Sequence, residues 1–140
     1  WDLVEDPARR DEIKEFIEDR MGFVSYAPVL TISALTGRSV HRVWDAIDSV
    51  YEGYSTHIPT NKLNHFLTEL RDFGHTVSKG PKRLKLNYVT QTDVQPPAFT
   101  FFCNAPELVD DNFRRYLENR MRTTFPLAGT PIRMHFKHKN

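Results

Sequence analysis

Apolar side chains recur at spacings of three and four along four stretches of the chain. They are Ile13, Phe16, Ile17 and Met21; Val40, Val43, Trp44, Ile47 and Val50; Leu63, Phe66, Leu67, Leu70 and Phe73; and Phe113, Tyr116, Leu117, Met121 and Phe125. Each set forms the one-sided stripe of an amphipathic helix. Asp6 offers an N-cap, Pro7 fits the first helical position, and Asp11 and Glu12 favour the positive helix start. Thr60 and Asp110 are expected to open the third and fourth helices, and Gly22 and Gly74 to end the first and third. Elsewhere the period is two. Leu84, Leu86 and Tyr88 alternate with Lys85 and Asn87; Phe99, Phe101 and Cys103 with Thr100 and Phe102; Ile132, Met134 and Phe136 with Arg133, His135 and Lys137. Such alternation predicts half-buried strands. Val29-Leu30-Thr31-Ile32, bounded by Pro28 and Ser33, reads as a short strand, and Trp1-Asp2-Leu3-Val4 as the end of a buried one.

Residues 1–51 therefore read strand end, helix, strand, helix, the alternation of an α/β parallel sheet. Two strands do not make an independently stable sheet of that kind, so the segment is expected to be the last part of a larger α/β domain. The stretch from Tyr51 to Pro59 breaks the stripe and sets a boundary near residue 55. Residues 56–140 read helix, strand, strand, helix, strand: an α+β unit with a three-stranded sheet and both helices on one face. Leu86, Phe101 and Met134 are expected to point at those helices.

Charge sharpens the division. Residues 1–55 carry six Lys+Arg against eleven Asp+Glu, whereas residues 56–140 carry thirteen against seven. The overall net charge of +1 hides this asymmetry. A basic C-terminal unit suits a polyanion, with RNA the first candidate; the alternative is a solvated basic face with no partner. No apolar run approaches the roughly 18 residues of a membrane span, and no signal-peptide pattern opens the chain. The single cysteine, Cys103, permits no internal disulfide and fits a reducing cytoplasm. The six histidines lack Cys or carboxylate partners at ligand spacing, so no metal site is expected. No nucleophile–base constellation is visible, and no catalytic residue is assigned.

The chain opens on Trp1-Asp2, and one helix later comes Thr31-Ile32-Ser33-Ala34-Leu35-Thr36-Gly37. This pair is similar to the two guanine-recognition loops of Era- and Ras-class GTPases, Asn-Lys-x-Asp and Ser-Ala-Lys/Leu. Guanine presents N1–H and its 2-amino group as adjacent donors that one carboxylate accepts together, whereas adenine leaves that carboxylate unpaired. The resemblance gives Asp2 the carboxylate role and the Ala34 N–H the contact to guanine O6. Ser33 would brace the loop and Leu35 pack near the base. A Gly-x-x-x-x-Gly-Lys-Ser/Thr phosphate loop does not occur, so magnesium ligands and catalytic parts would lie upstream, and this stretch alone is not expected to hydrolyse GTP.

Further matches carry the resemblance through the C-terminal half. They are Arg83-Leu84-Lys85-Leu86-Asn87-Tyr88, Gln95-Pro96-Pro97, Phe113-Arg114-Arg115-Tyr116-Leu117-Glu118-Asn119 and Gly129-Thr130-Pro131-Ile132-Arg133-Met134-His135-Phe136-Lys137. Together they resemble the bacterial double Era-like GTPase family, Der or EngA, whose chains end in a KH-like domain. The resemblance implies the end of the second P-loop GTPase domain over residues 1–55 and the KH-like domain over 56–140. It further implies GTP or GDP as ligand, upstream GTPase domains in the same chain, and a monomeric factor in assembly of the large ribosomal subunit.

RNA-binding KH domains clamp the nucleic-acid backbone with a Gly-x-x-Gly loop, which this sequence lacks. Its candidate phosphate contacts are instead Lys79, Lys82, Arg83 and Lys85; Arg114, Arg115, Arg120 and Arg122; and Arg133, Lys137 and Lys139. The Gly-Pro turn between Lys79 and Lys82 is expected to project most. Arg114 and Arg115 equally serve as a solvated helix face, and Arg120 as a partner for Asp110 or Glu118. Without Gly-x-x-Gly a second reading stands beside rRNA docking. In it the KH-like unit senses the nucleotide state of its own GTPase domains, and an exposed Tyr88 or Phe102 meets one of them.

Overall fold

A computed structural model describes residues 1–73 and 77–139. Helix α1 spans Pro7–Arg20, with the Asp6 carboxylate accepting from the Ala8 N–H at 3.0 Å and Pro7 in the first turn. Asp11 and Glu12 fall beyond that first turn, where Glu12 pairs with Arg9 at 2.7 Å. The helix ends at Arg20, capped by Met21, and Gly22–Val24 continue as one 3-10 turn. Helix α2 spans His41–Tyr54, so Tyr51, Gly53 and Tyr54 are helical and the connection begins only at Ser55.

Between α1 and α2 the expected strand at Val29–Ile32 is absent among the described residues. A strand exists only when a neighbour pairs with its ladder, and what reaches this segment is the terminal amine of Trp1, bonded to the Ile32 carbonyl at 2.9 Å. Nor do Trp1–Val4 form a strand; they fold into a turn closed by the Val4 N–H on the Trp1 carbonyl. The apolar stripes of this half find little cover. Phe16, Phe23, Val29, Trp44, Ile47 and Tyr51 are all more than half exposed, and Ser33 and Gly53 are its buried residues.

The rest is an α+β sandwich. Helix α3 (Thr60–Phe73) starts on the Pro59 carbonyl, which accepts from Lys62 and Leu63; Thr60 is thus its first residue and not its cap. Its expected end at Gly74 lies outside the described residues. A two-stranded hairpin follows, β1 (Ser78–Lys79) against β2 (Lys82–Arg83), where a plain loop was expected. Strands β3 (Leu86–Asp93) and β4 (Ala98–Cys103) are antiparallel. Helix α4 (Asp111–Thr124) is the crossover that a parallel connection needs, and β5 (Arg133–His138) returns parallel to β4. The sheet order is β3-β4-β5.

One face of the sheet meets the helices. Leu63, Phe66 and Leu67 of α3 and Phe113, Leu117 and Met121 of α4 enclose Val89, Phe99, Phe101 and Cys103. Phe136 of β5 stacks on Phe101 with ring centroids 5.3 Å apart, and Phe66 meets Phe125 edge-on at 5.4 Å. Each such side chain contributes about 1.5–3 kcal/mol by leaving water. Alternation fails at two places, between Leu86 and Tyr88 and again between Gln91 and Asp93. Leu86 pairs with Cys103 but Tyr88 with Phe102, so Asn87 is an extra residue in a β-bulge. The bulge turns Tyr88 outward, 45% exposed, and puts Val89 in the core in its stead.

β3 is an edge strand, and α3 covers its free edge. The Asn64 amide accepts from the Val89 N–H (3.1 Å) and donates to the Val89 carbonyl (3.0 Å), while Arg71 donates to the carbonyls of Leu86 and Asn87, both at 3.0 Å. Paired groups of this kind remove the unsatisfied row that an edge otherwise presents. At the start of α4 the Asp110 carboxylate accepts from the Phe113 N–H at 2.7 Å, capping the helix. Asp110→Ala is expected to lower stability by about 1 kcal/mol in a denaturant titration, and Asp110→Asn much less.

Candidate functional site

The predicted guanine loops come together. Ser33, 2% exposed, donates its hydroxyl to Asp2 Oδ1 at 2.5 Å and accepts from the Thr36 N–H at 3.2 Å. Its own N–H bonds the Arg38 carbonyl, and its carbonyl accepts from Gly37, whose φ of +74° lets the loop close. The Ser33 hydrogen bond holds the Asp2 carboxyl below the ordinary carboxylate range. Among the described residues no other residue engages the second Asp2 oxygen, and the Ala34 N–H donates to nothing. Leu35 is 85% exposed.

Beside this clasp lies a cleft of about 540 Å³ that Asp2 and Ser33 line and that Ala34 and Leu35 do not enter. Arg10, Arg38 and Arg42 stand around it, three guanidinium groups to which the sequence pattern assigned no role. Arg38 lies in the turn before α2 and Arg42 in its first turn, so no helical spacing links them. Arg10 is committed locally, donating to the Val4 carbonyl at 2.6 Å and lying over the Trp1 ring.

The basic candidates divide into three places. Lys79, Lys82 and Arg83 stand on the exposed hairpin, with exposed Lys85 following. Asn104 anchors this segment, accepting from the Lys85 N–H at 2.7 Å and donating to the Arg83 carbonyl at 2.7 Å. Lys82 pairs with Glu107 at 2.5 Å, and His138 approaches the same carboxylate at 3.9 Å. Lys82 and the nearby His138 hold Glu107 below its ordinary range, the hydrogen bond from Lys82 being the main cause. The hairpin is thereby tied to the C-terminal end of β5, close to Lys137 and Lys139. On α4, Arg115 and Arg120 are exposed, while Arg114 lies over the Phe136 ring at 5.0 Å. Arg133 and Lys137 face away from the helices.

Arg122 departs from the expected role. It donates to the carbonyls of Leu127 (3.0 Å) and Thr130 (2.7 Å), pairs with Glu118 at 2.8 Å and covers the Tyr26 ring at 4.3 Å. It, and not Arg120, is the partner of Glu118, and it has no free guanidinium face to offer RNA. Arg122 is part of a seam joining the first half of the chain to the second. Gly53 lies under the loop after α4, where an added Cβ would stand 3.0 Å from the Ala128 carbonyl oxygen. Thr56 donates to the Pro126 carbonyl at 3.4 Å, and the Gln95 N–H to the Tyr54 carbonyl at 3.0 Å. Sequence carries no local signal for this seam, because its residues are up to about 96 positions apart.

Among the described residues no group of His, Cys, Asp and Glu gathers to hold a metal ion, and no helix is long and apolar enough to cross a membrane. Cys103 is buried, and burial pushes its thiol pKa up.

Residues 57–137 match a family model described as the KH-domain-like, C-terminal part of EngA bacterial GTPase enzymes. GTPase Der of Clostridium acetobutylicum is 44% identical over 140 residues, covering 99% of this chain and 32% of its own length. GTPase Der of Pelodictyon phaeoclathratiforme is 43% identical with the same coverage, and that of Halalkalibacterium halodurans 41% identical across the whole chain. The chain thus spans about a third of the length of these relatives. With its fold, its Asp2–Ser33 clasp and this match over more than half its residues, the chain belongs to the EngA (Der) family of bacterial GTPases and carries that family's C-terminal KH-like unit.

Proposed function

We propose that the chain is the C-terminal portion of a GTP-binding factor that acts in assembly of the large ribosomal subunit in the cytoplasm, as a monomer. Residues 1–55 then close the second GTPase domain, and residues 56–140 are the KH-like domain that docks on rRNA. The observation that carries this reading is the basic end of the sheet. Hairpin cations Lys79, Lys82 and Arg83, with Lys85, gather beside Lys137 and Lys139, held there by Asn104 and Glu107. Arg114, Arg115 and Arg133 extend the set along α4 and β5. Phosphate contacts from such residues supply affinity with little reading of sequence.

For the nucleotide, the residues present fit the guanine end. The Asp2 carboxylate, braced by Ser33, has an oxygen to spare for the two guanine donors, and the Ala34 N–H is free for O6. Leu35 would cover the base from its exposed position. Phosphates and magnesium would be held upstream, where GTP hydrolysis by the whole protein would also reside. The exposed apolar face of α2, with Trp44 and Ile47, is where the remainder of that domain would pack.

Reversing Lys79, Lys82 and Arg83 together to Glu is expected to weaken co-sedimentation with large ribosomal subunits at least about tenfold at low salt. The salt slope should fall by roughly 0.7–0.9 for each phosphate that is no longer neutralised. Unchanged co-sedimentation would remove the hairpin from the interface. The second reading, a KH-like unit that senses the nucleotide state of its own GTPase domains, draws on the seam. Tyr26 lies in the segment joining the two guanine loops and sits against Arg122 of α4.

A further inference from the structure

Both helices pack on one side of the sheet; on the other, Tyr88, Arg133, His135 and Lys137 are exposed and Phe102 half-buried, while Thr100 and Ala98 of the central strand are buried. Side chains paired across a ladder share a face. On that second face one row is Tyr88–Phe102–Lys137, the next Thr90–Thr100–His135, and the third Asp93–Ala98–Arg133. Tyr88 is 45% exposed and its ring lies 6.2 Å from that of Phe102, tilted by 40°. Tyr88 reaches this face only because of the bulge at Asn87, since unbroken alternation would have turned it to the core. A bulge beside a binding surface commonly re-aims a side chain in this way.

Charge on this face is one-sided. β5 contributes Arg133 and Lys137, and neither the aromatic row nor the row beside it carries a carboxylate; Asp93 lies in the far row. The aromatic row is at the end of the sheet from which the basic hairpin runs on, but Arg83 and Lys85 line a cleft with α3 and α4 on the helix side. From this juxtaposition we infer that this sheet face binds single-stranded RNA, stacking unpaired bases on Tyr88 and Phe102 while Lys137, with Arg133 further along β5, holds the phosphates.

Rings present a sequence-tolerant surface to any base, whereas the cations alone would not separate a single strand from a duplex. The inference deepens the rRNA-docking reading and rests on it. It assigns the KH-like unit a preference for unpaired segments, made by the sheet and not by the absent Gly-x-x-Gly loop.

The test compares binding of the 140-residue chain to an oligoadenylate single strand and to a blunt RNA duplex of the same length, across a salt series. The Tyr88→Ala/Phe102→Ala variant is expected to lose about tenfold or more in affinity for the single strand. Its duplex binding and its salt slope should stay as in the parent chain, and Tyr88→Trp with Phe102→Tyr should restore the single-strand affinity. Circular dichroism melts of each variant keep a folding defect separate from a binding one. If the double variant binds the single strand like the parent, or loses both RNAs equally, base stacking is overturned. In either case the lysine reversals still report on phosphate docking by themselves. A parent chain that binds neither RNA at low salt overturns both readings. An RNA affinity that is untouched while the double variant loses association with the GTPase domains of the full-length protein makes the face a protein dock.

Discussion

Phe101→Ala is expected to lower the stability of the α+β unit by about 3–5 kcal/mol. Phe101 sits on the central strand, fully buried, between Val89 of β3 and Phe136 of β5, which stacks on it at 5.3 Å with the rings 18° apart. Removing the ring deletes the transfer energy and leaves a void that three elements cannot all close. A unit of roughly 80 residues has about 4–12 kcal/mol in total. The substitution therefore takes about a quarter or more of it, and urea midpoints followed by far-UV circular dichroism should show the loss directly. Tyr88→Ala, one strand over but on the face away from the helices, is the control and should move the midpoint by well under half as much. Equal shifts for the two would mean that the helices do not cover the face assigned to them.

Gly129→Ala is expected to disturb the seam by about 2–5 kcal/mol. Two causes add. Gly129 has φ +75°, where a side chain costs about 1–2 kcal/mol. An added Cβ would also stand 2.5 Å from Val50 Cγ2, and overpacking of that sort costs about 1–3 kcal/mol. Val50 is β-branched and stiff, so α2 itself must move away from the loop. The readout is faster proteolysis of the Ser55–Pro59 connection and loss of amide protection at the end of α2. Gly53→Ala makes the comparison informative, because there the helical preference for Ala, about 1 kcal/mol, opposes a tight approach to Ala128. No change with Gly129→Ala would show that α2 and the loop are not rigidly joined. The proposed sensing of nucleotide state would then lose this route.

Both expectations turn on features that differ in how far sequence could announce them. Periodicity in Leu63–Leu70 and in Phe113–Met121 was enough for the helices of the α+β unit, because a stripe every three to four residues is a local property. The caps at Asp6 and Asp110 were equally local. That the loops at Asp2 and Ser33 meet was legible through motif spacing and the resemblance it carries; the hydrogen bond between the two side chains was not.

Other features had no local signature. Val29–Ile32 has strand composition but no ladder, since β structure belongs to a pair of segments and not to one. The bulge at Asn87 appears only when β3 is laid against β4, and it alone decides that Val89 is core and Tyr88 surface. Arg122 reads as one more cation on a basic helix until the loop after α4 folds back beneath Tyr26.

What the chain's sequence determined by itself was its four helices, the three long strands of the α+β unit, most of the residues facing that unit's core, the opposite charges of its halves and the motif pair around Asp2 and Ser33. All of these depend on neighbours a few residues away or on fixed spacing. Only the tertiary structure decided strand register, the facing of Tyr88, the gathering of the hairpin cations with the end of β5, and the seam through Arg122 and Gly129. Each of those is set by segments far apart in the chain meeting in space, where packing and unsatisfied backbone groups outweigh local preference.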